Sequence, residues 1–210
     1  MRYSKVTLGI GITVVAAGCA GCAKIRYPNY YTLHIPAPVT ASRTTPPLGP
    51  IAVRQFGSPG FLREGSIVYR ESPERLGFYH YERWAVDPRR EATSAILREM
   101  RSRGAFQTVD LYDGSATCDW ILSGTLDQLE EVDHGTDVWI EVALSARLKS
   151  LRTGEVLWED TSTKKARVDN RSVPGVVAAM SSEMGKAVES LVTSMLDGVS
   201  LRGAQSRAGQ

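Results

Sequence analysis

The chain is poor in the residues that usually announce chemistry. It has three cysteines in 210 residues, two of them (Cys19 and Cys22) within the first 22, so only Cys118 belongs to the body and no disulfide framework can form there. Its three histidines, His34, His80 and His134, fall in separate segments. HExxH, GxSxG, Walker A and a strand-borne GxGxxG are all missing behind the N-terminal segment, so no motif points to a zinc protease, a serine hydrolase or a nucleotide site. Charge of one sign is lacking too: 25 Lys and Arg against 23 Asp and Glu give +2, scattered except for Lys164, Lys165 and Arg167. That balance predicts no affinity for nucleic acid. Internal repeats are absent. So is a long apolar run, since Val6 to Ala17 stops well short of the roughly 20 residues that span a bilayer.

What the N-terminus has instead is the layout of a secretory signal over residues 1–18. Arg2 and Lys5 form a cationic head, an uncharged apolar segment follows, and Ala16, Ala17 and Gly18 precede Cys19. Small residues before a cysteine resemble a bacterial lipobox, in which the thiol is acylated and the cysteine becomes the new N-terminus. Ala16 stands where such boxes usually carry Leu or Val. Cys19 is the expected attachment point and Cys22 the alternative. A CxxC redox pair would sit near a βαβ pattern and a zinc site would need two more ligands, and neither is nearby. Ala20 in place of Asp resembles the outer-membrane sorting class.

Residues 19–50 read as lipid anchor and tether, with an extended piece, YYTLHI, at 30–35 and then a Pro-, Ser- and Thr-rich stretch expected to be a surface loop without a core. One α/β domain is expected over 51–201 and a disordered tail over 202–210. PIAVRQF, SIVYRES and FYHYERWA read as short strands. A helix follows, capped by Asp87, started by Pro88 and closed by Gly104, with Ala92, Ile96 and Met100 on one face. Three strands then form an antiparallel meander from Trp120, Asp137 and Glu155. The middle one alternates, Val138, Ile140, Val142, Leu144, Ala146 and Leu148 facing one way. From Pro174 to about Val199, an apolar stripe of Val177, Met180, Met184, Val188, Leu191 and Met195 predicts an amphipathic helix packed on the sheet. The fold class expected is α+β, an α/β sandwich: a mixed, largely antiparallel sheet with two packed helices, similar to the TolB N-terminal-like domain.

Candidate sites are few. Asp127, Glu130, Glu131 and Asp133 lack calcium-loop spacing and are expected to be the solvated rim of a hairpin. Cys118 has no basic neighbour in sequence to favour a thiolate, which predicts an inert thiol. Asn170-Arg-Ser172 is formally a glycosylation sequon, at odds with a bacterial-type anchor. Tyr79, Tyr81 and Trp84 could stack on a ligand or partner, with Arg83 beside them. Equally, Trp84 could close its strand and pack under the helix while Glu82 and Arg83 project from opposite faces.

The order of the pieces resembles the ABC-type transport auxiliary lipoproteins, a group that includes the membrane-integrity-associated lipoprotein of the paraquat-inducible system. YYTL precedes IAVRQF, then FLREGSIVYR at 61–70, then YERWAVDP leading into a helix. Phe61, Leu62, Ile67, Val68, Tyr69, Arg70, Arg83, Trp84, Ala85 and Pro88 fall on family positions. Arg63, Glu64, Gly65 and Ser66 depart from the usual Asp-Arg-Pro. The resemblance implies a periplasmic domain lipid-anchored in the outer membrane, with neither catalysis, metal nor cofactor. Its expected partners are a lipid-transferring mammalian-cell-entry (MCE) domain protein and an inner-membrane ABC transporter, docked through aromatic and edge-strand surfaces. Sister subunits in a homo-oligomer are a further partner of that kind. Tyr69, Arg70, Tyr79, Tyr81, Arg83 and Trp84 are the positions expected to bind. The second half, with TGEVLWED, also looks like TolB and curli-secretion lipoproteins, so a structural or secretion role in the envelope is the alternative. An exported hydrolase would need a cleft with coupled titratable groups.

Overall fold

Period-two alternation over Asp137–Ser150, a partner stretch at Trp120–His134 and a hairpin closed at Gly135, which holds φ +67°, produce the two longest strands among the described residues. A computed structural model describes residues 26–38, 47–115, 117–135 and 137–208. The expected signal peptide and both candidate anchors, Cys19 and Cys22, lie outside the described residues. In chain order the strands are β1 (Asn29–Tyr31), β2 (Ile51–Val53), β3 (Ser66–Ser72), β4 (Arg75–Trp84), β5 (Val109–Leu111), β6 (Trp120–His134), β7 (Asp137–Ser150) and β8 (Val156–Arg167); helix α1 (Pro88–Arg103) follows β4 and α2 (Val173–Ala208) closes the chain.

The eight strands make one open, mixed sheet, and with the two helices this is an α+β fold, as the sequence predicted. Strand β6 organises it. Along one edge β6 pairs antiparallel with β7 over its whole length, and β7 with β8. Its other edge is shared: Trp120–Leu122 pair in parallel with β2, which carries β5, and Glu130–Val132 pair in parallel with β3, which carries β4 and then β1.

Within β6 the register shifts between Leu126 and Gln128, leaving Asp127 as the extra residue of a bulge. Before it Leu122 and Leu126 face Leu148 and Leu144; beyond it Leu129 faces Val142. One inserted residue exchanges the two faces. The core therefore continues through Leu129, and Glu130 and Glu131 point to sides opposite to those an uninterrupted strand would give them.

Helix α1 starts where Asp87 accepts from Arg89 N at 2.9 Å and ends at Gly104, left-handed at φ 58°. Ala92, Ile96 and Met100 are buried as expected. Thr93 fastens the helix to the end of β2: its Oγ1 accepts from Phe56 N and Gln55 Nε2, each at 3.0 Å, and donates to Arg89 O at 2.7 Å. Ser172 caps α2, its Oγ accepting from Gly175 N at 3.3 Å. Met180, Met184, Val188, Leu191 and Met195 of α2 lie on Ile140, Val142, Leu144 and Leu148 in a single core cluster shared with α1.

Three boundaries differ from expectation. The segment at 30–35 is no bare tether: β1 pairs in parallel with β4, Leu33 is buried, and His34 N donates to Ser181 Oγ at 3.0 Å, so the chain crosses α2 before entering the domain. The Pro-rich stretch also re-enters the fold, where Leu48 N donates to Ala105 O and Leu48 O accepts from Gln107 N. Finally, α2 runs past Val199 to Ala208, because Leu201, Arg202, Ala204, Gln205 and Arg207 are good helix formers with no proline between them, so most of the tail expected to be disordered is helical.

Candidate functional site

The junction of β4, β3 and β6 gathers the residues that the resemblance singles out, but divides them between two faces. Parallel pairing sets Tyr69 beside Glu131 and Arg70 beside Val132. Successive side chains alternate, so Tyr69 and Glu131 share one face and Arg70 and Glu130 the other.

On the first face Tyr69 and Tyr79 meet edge to face, with centroids 5.2 Å apart and an interplanar angle of 66°. Gly77 makes this contact possible: a Cβ there would stand 2.1 Å from Tyr69 Cζ. The Tyr79 hydroxyl donates to Glu131 Oε2 at 2.9 Å. Burial raises the Tyr79 phenol far above its ordinary value, and the Glu131 carboxylate and Asp133 add to the shift. Burial likewise pushes the Glu131 carboxyl up, with Asp133 reinforcing and the Tyr79 hydrogen bond opposing. Tyr81 stands at the mouth of this recess of about 430 Å³, and the Arg26 guanidinium lies 4.6 Å from the centre of its ring. Beside it Asn29 Nδ2 donates to both oxygens of Glu82, at 3.2 and 3.0 Å.

On the opposite face Arg70 forms a two-pronged pair with Glu130, Nε to Oε1 at 2.8 Å and Nη2 to Oε2 at 3.0 Å, while its Nη1 donates to Pro73 O at 2.8 Å. Glu130 is 0% exposed. This pair floors a second recess, of about 540 Å³, that also includes Gln128, Val132 and Glu141.

Of the six residues proposed for binding, Tyr69, Tyr79 and Tyr81 therefore come together, and Arg70 faces away from them. Arg83 instead supports the backbone, its Nη2 donating to Glu64 O at 2.9 Å. Trp84 is buried in the core and takes the packing role that competed with ligand stacking. Glu130 and Glu131, expected on a solvated rim, are buried and partnered, because β3 and β4 cover that stretch of β6. The signal that could have found them is the three-residue spacing of Leu126 and Leu129 in a strand of period two, which marks the bulge.

Other candidates stay apart. His34 and His80 are exposed on different segments. Cys118 is half-buried, and burial pushes its thiol up despite a hydrogen bond from the Ala52 backbone. Asn170 is exposed, and its Oδ1 accepts from Ser172 N at 3.0 Å. Among the described residues no three His, Cys, Asp or Glu side chains form a metal cluster, and no helix is long and apolar enough to cross a membrane.

The fold recurs in solved structures. Protein XCC0632 from Xanthomonas campestris superposes with a TM-score of 0.72 at 18% identity, over 84% of this chain and 99% of that one. An uncharacterized protein gives a TM-score of 0.60 at 14% identity, over 80% and 99%. The hypothetical protein CT253 from Chlamydia trachomatis gives 0.52 at 9%, over 72% and 98%. At these identities they show a shared fold. No curated protein matches the sequence significantly. The profile of the ABC-type transport auxiliary lipoprotein component covers residues 31–192, from the last residue of β1 into α2, and so takes in β2 to β8 and the junction of β3, β4 and β6. The chain belongs to the family of ABC-type transport auxiliary lipoproteins.

Proposed function

We propose that this chain is an outer-membrane-anchored accessory lipoprotein of an ABC/MCE-type lipid transport system, working by binding and docking and not by catalysis. The observation that supports this best is where the tyrosine recess sits along the chain. Arg26, stacked on Tyr81, is seven residues from Cys19, a length of at most about 25 Å when extended. An acylated Cys19 thus holds the Tyr69–Tyr79–Tyr81 recess close to the membrane surface. Tyr27, Tyr30 and Tyr81 are exposed on that side, the kind of rigid amphipathic surface that anchors partners. Two acylation events matter, since one chain gives only marginal membrane binding. Ala20 favours the outer membrane.

The test is capture of the native lipoprotein from detergent extracts followed by mass spectrometry. MCE-domain and ABC components should co-purify, and Tyr81→Ser should reduce their yield with the fold intact. Recovery of neither component with wild-type protein would refute the proposal. For the anchor, Cys19→Ser should remove the diacylglyceryl mass; its persistence would move the site to Cys22.

A further inference from the structure

The recess of about 430 Å³ on the tyrosine side of the junction is lined by Tyr69, Tyr79 and Tyr81 and, from β6, by Glu131 and Asp133. Residues two apart on a strand share a face, so both carboxylates reach the same side of the sheet as the aromatic wall. A tyrosine ring attracts cations through its electron-rich face, and a carboxylate beside it adds a full negative charge. The walls therefore favour a positively charged guest.

These carboxylates lack a cation of their own. Glu82, the third acid at this recess, is already held at both oxygens by Asn29 Nδ2. Glu131 differs: it is 6% exposed, its Oε2 accepts from the Tyr79 hydroxyl, and among the described residues nothing donates to its Oε1. Asp133 is in no hydrogen bond or ion pair among those residues. Buried carboxylates are ordinarily paired. Burial and Asp133 both push the Glu131 carboxyl up, the direction expected where negative charge is in excess.

Charge of the other sign stands at the rim. The Arg26 guanidinium lies 4.6 Å from the centre of the Tyr81 ring, is exposed, and among the described residues makes no hydrogen bond or ion pair. Its planar fork of N–H donors is suited to phosphate. Negative charge inside and positive charge outside match a zwitterion in one orientation only.

We propose that this recess binds a phosphoethanolamine group, its primary ammonium among the tyrosines against Glu131 and Asp133 and its phosphate against Arg26. A quaternary ammonium would suit the rings but has no N–H to give Glu131 Oε1. A lysine side chain has the N–H groups but no phosphate, which leaves Arg26 unused. With Cys19 acylated as proposed above, on which the source of the group rests, the recess lies where a membrane lipid presents such a headgroup; a soluble phosphoethanolamine offers the same chemistry.

The test is calorimetric titration of the full-length lipoprotein in detergent micelles. Glycerophosphoethanolamine should bind, and glycerophosphocholine and glycerol phosphate should bind about tenfold or more weakly, the first lacking the N–H donors and the second the cation. Glu131→Gln should weaken glycerophosphoethanolamine by a similar factor. Arg26→Ala should weaken it too while leaving the weaker binding of ethanolamine unchanged, a split that unfolding cannot mimic. Tighter binding of short-chain phosphatidylethanolamine than of the free headgroup assigns a lipid source and equal binding a soluble one, and both uphold the site. No binding of glycerophosphoethanolamine, equal binding of the choline compound, or an Arg26→Ala variant that binds like wild type would overturn the proposal. Co-purification of MCE-domain and ABC components does not depend on these outcomes, so the docking role and the headgroup site can fail separately.

Discussion

Removing the Arg70 side chain should be among the most damaging single changes available at the three-strand junction. Glu130 has 0% exposure, and both its oxygens are held by the Arg70 fork at 2.8 and 3.0 Å; among the described residues its one other donor is Gln128 Nε2 at the long distance of 3.4 Å. Arg70→Ala leaves a carboxylate out of water and nearly unpaired, a loss of about 3–5 kcal/mol in comparable buried pairs. Pro73 O loses a donor as well, but on the exposed side, where water replaces it. In a domain of this size each kcal/mol corresponds to about 2–4 °C, so the midpoint should fall by about 6–20 °C. The double variant Arg70→Met/Glu130→Leu should recover most of that, since an apolar pair of similar volume has no charge to desolvate. Urea denaturation followed by circular dichroism measures both, and an unchanged slope would show that the unfolded state is not responsible. If Arg70→Ala stays within about 0.5 kcal/mol of wild type, as surface substitutions do, the pair is not the internal fastening described here.

Two further outcomes follow from the same region. The Glu131 carboxyl is raised above 4.5 chiefly by burial, so the folded protein holds its proton more tightly than the unfolded chain. Its contribution to stability is present below that value and declines as pH rises through the window just above it. Glu131→Gln should abolish this decline, and denaturation midpoints at pH 4 and pH 7 for both proteins would reveal it; parallel pH profiles would count against the burial. Gly124→Ala should cost about 1–3 kcal/mol by overpacking, because a Cβ there would lie 2.5 Å from both Phe56 Cε2 and the Ser145 carbonyl oxygen. A thermal midpoint equal to that of wild type would mean that β6 and Phe56 can separate at no cost.

Features set by short-range sequence were legible, and those set by pairing across the sheet were not. Asp87, Pro88 and Gly104 marked α1 because caps act within one helical turn, and the six alternating residues of β7 marked its buried face because period two is local. The Tyr69, Tyr79 and Tyr81 grouping was partly legible: each residue was picked out, but not the separation of Arg70, which follows from the parallel register of β3 on β6. Glu130 and Glu131 look solvated when they are read beside Asp127 and Asp133, since four acids in seven residues ordinarily face water. Their partners, Arg70 and Tyr79, lie more than fifty residues earlier in the chain. Alternation gives one carboxylate to each face, and the single extra residue at Asp127 decides which face each takes. The bulge therefore couples the hydrophobic pattern to the polar one: a strand that kept Leu126 and Leu129 in strict alternation would aim Glu131 away from Tyr79 and Glu130 away from Arg70. The two acids and the two leucines form one constraint, in which the core needs Leu129 inside and the recess needs Glu131 beside Tyr79, and only an inserted residue between them satisfies both.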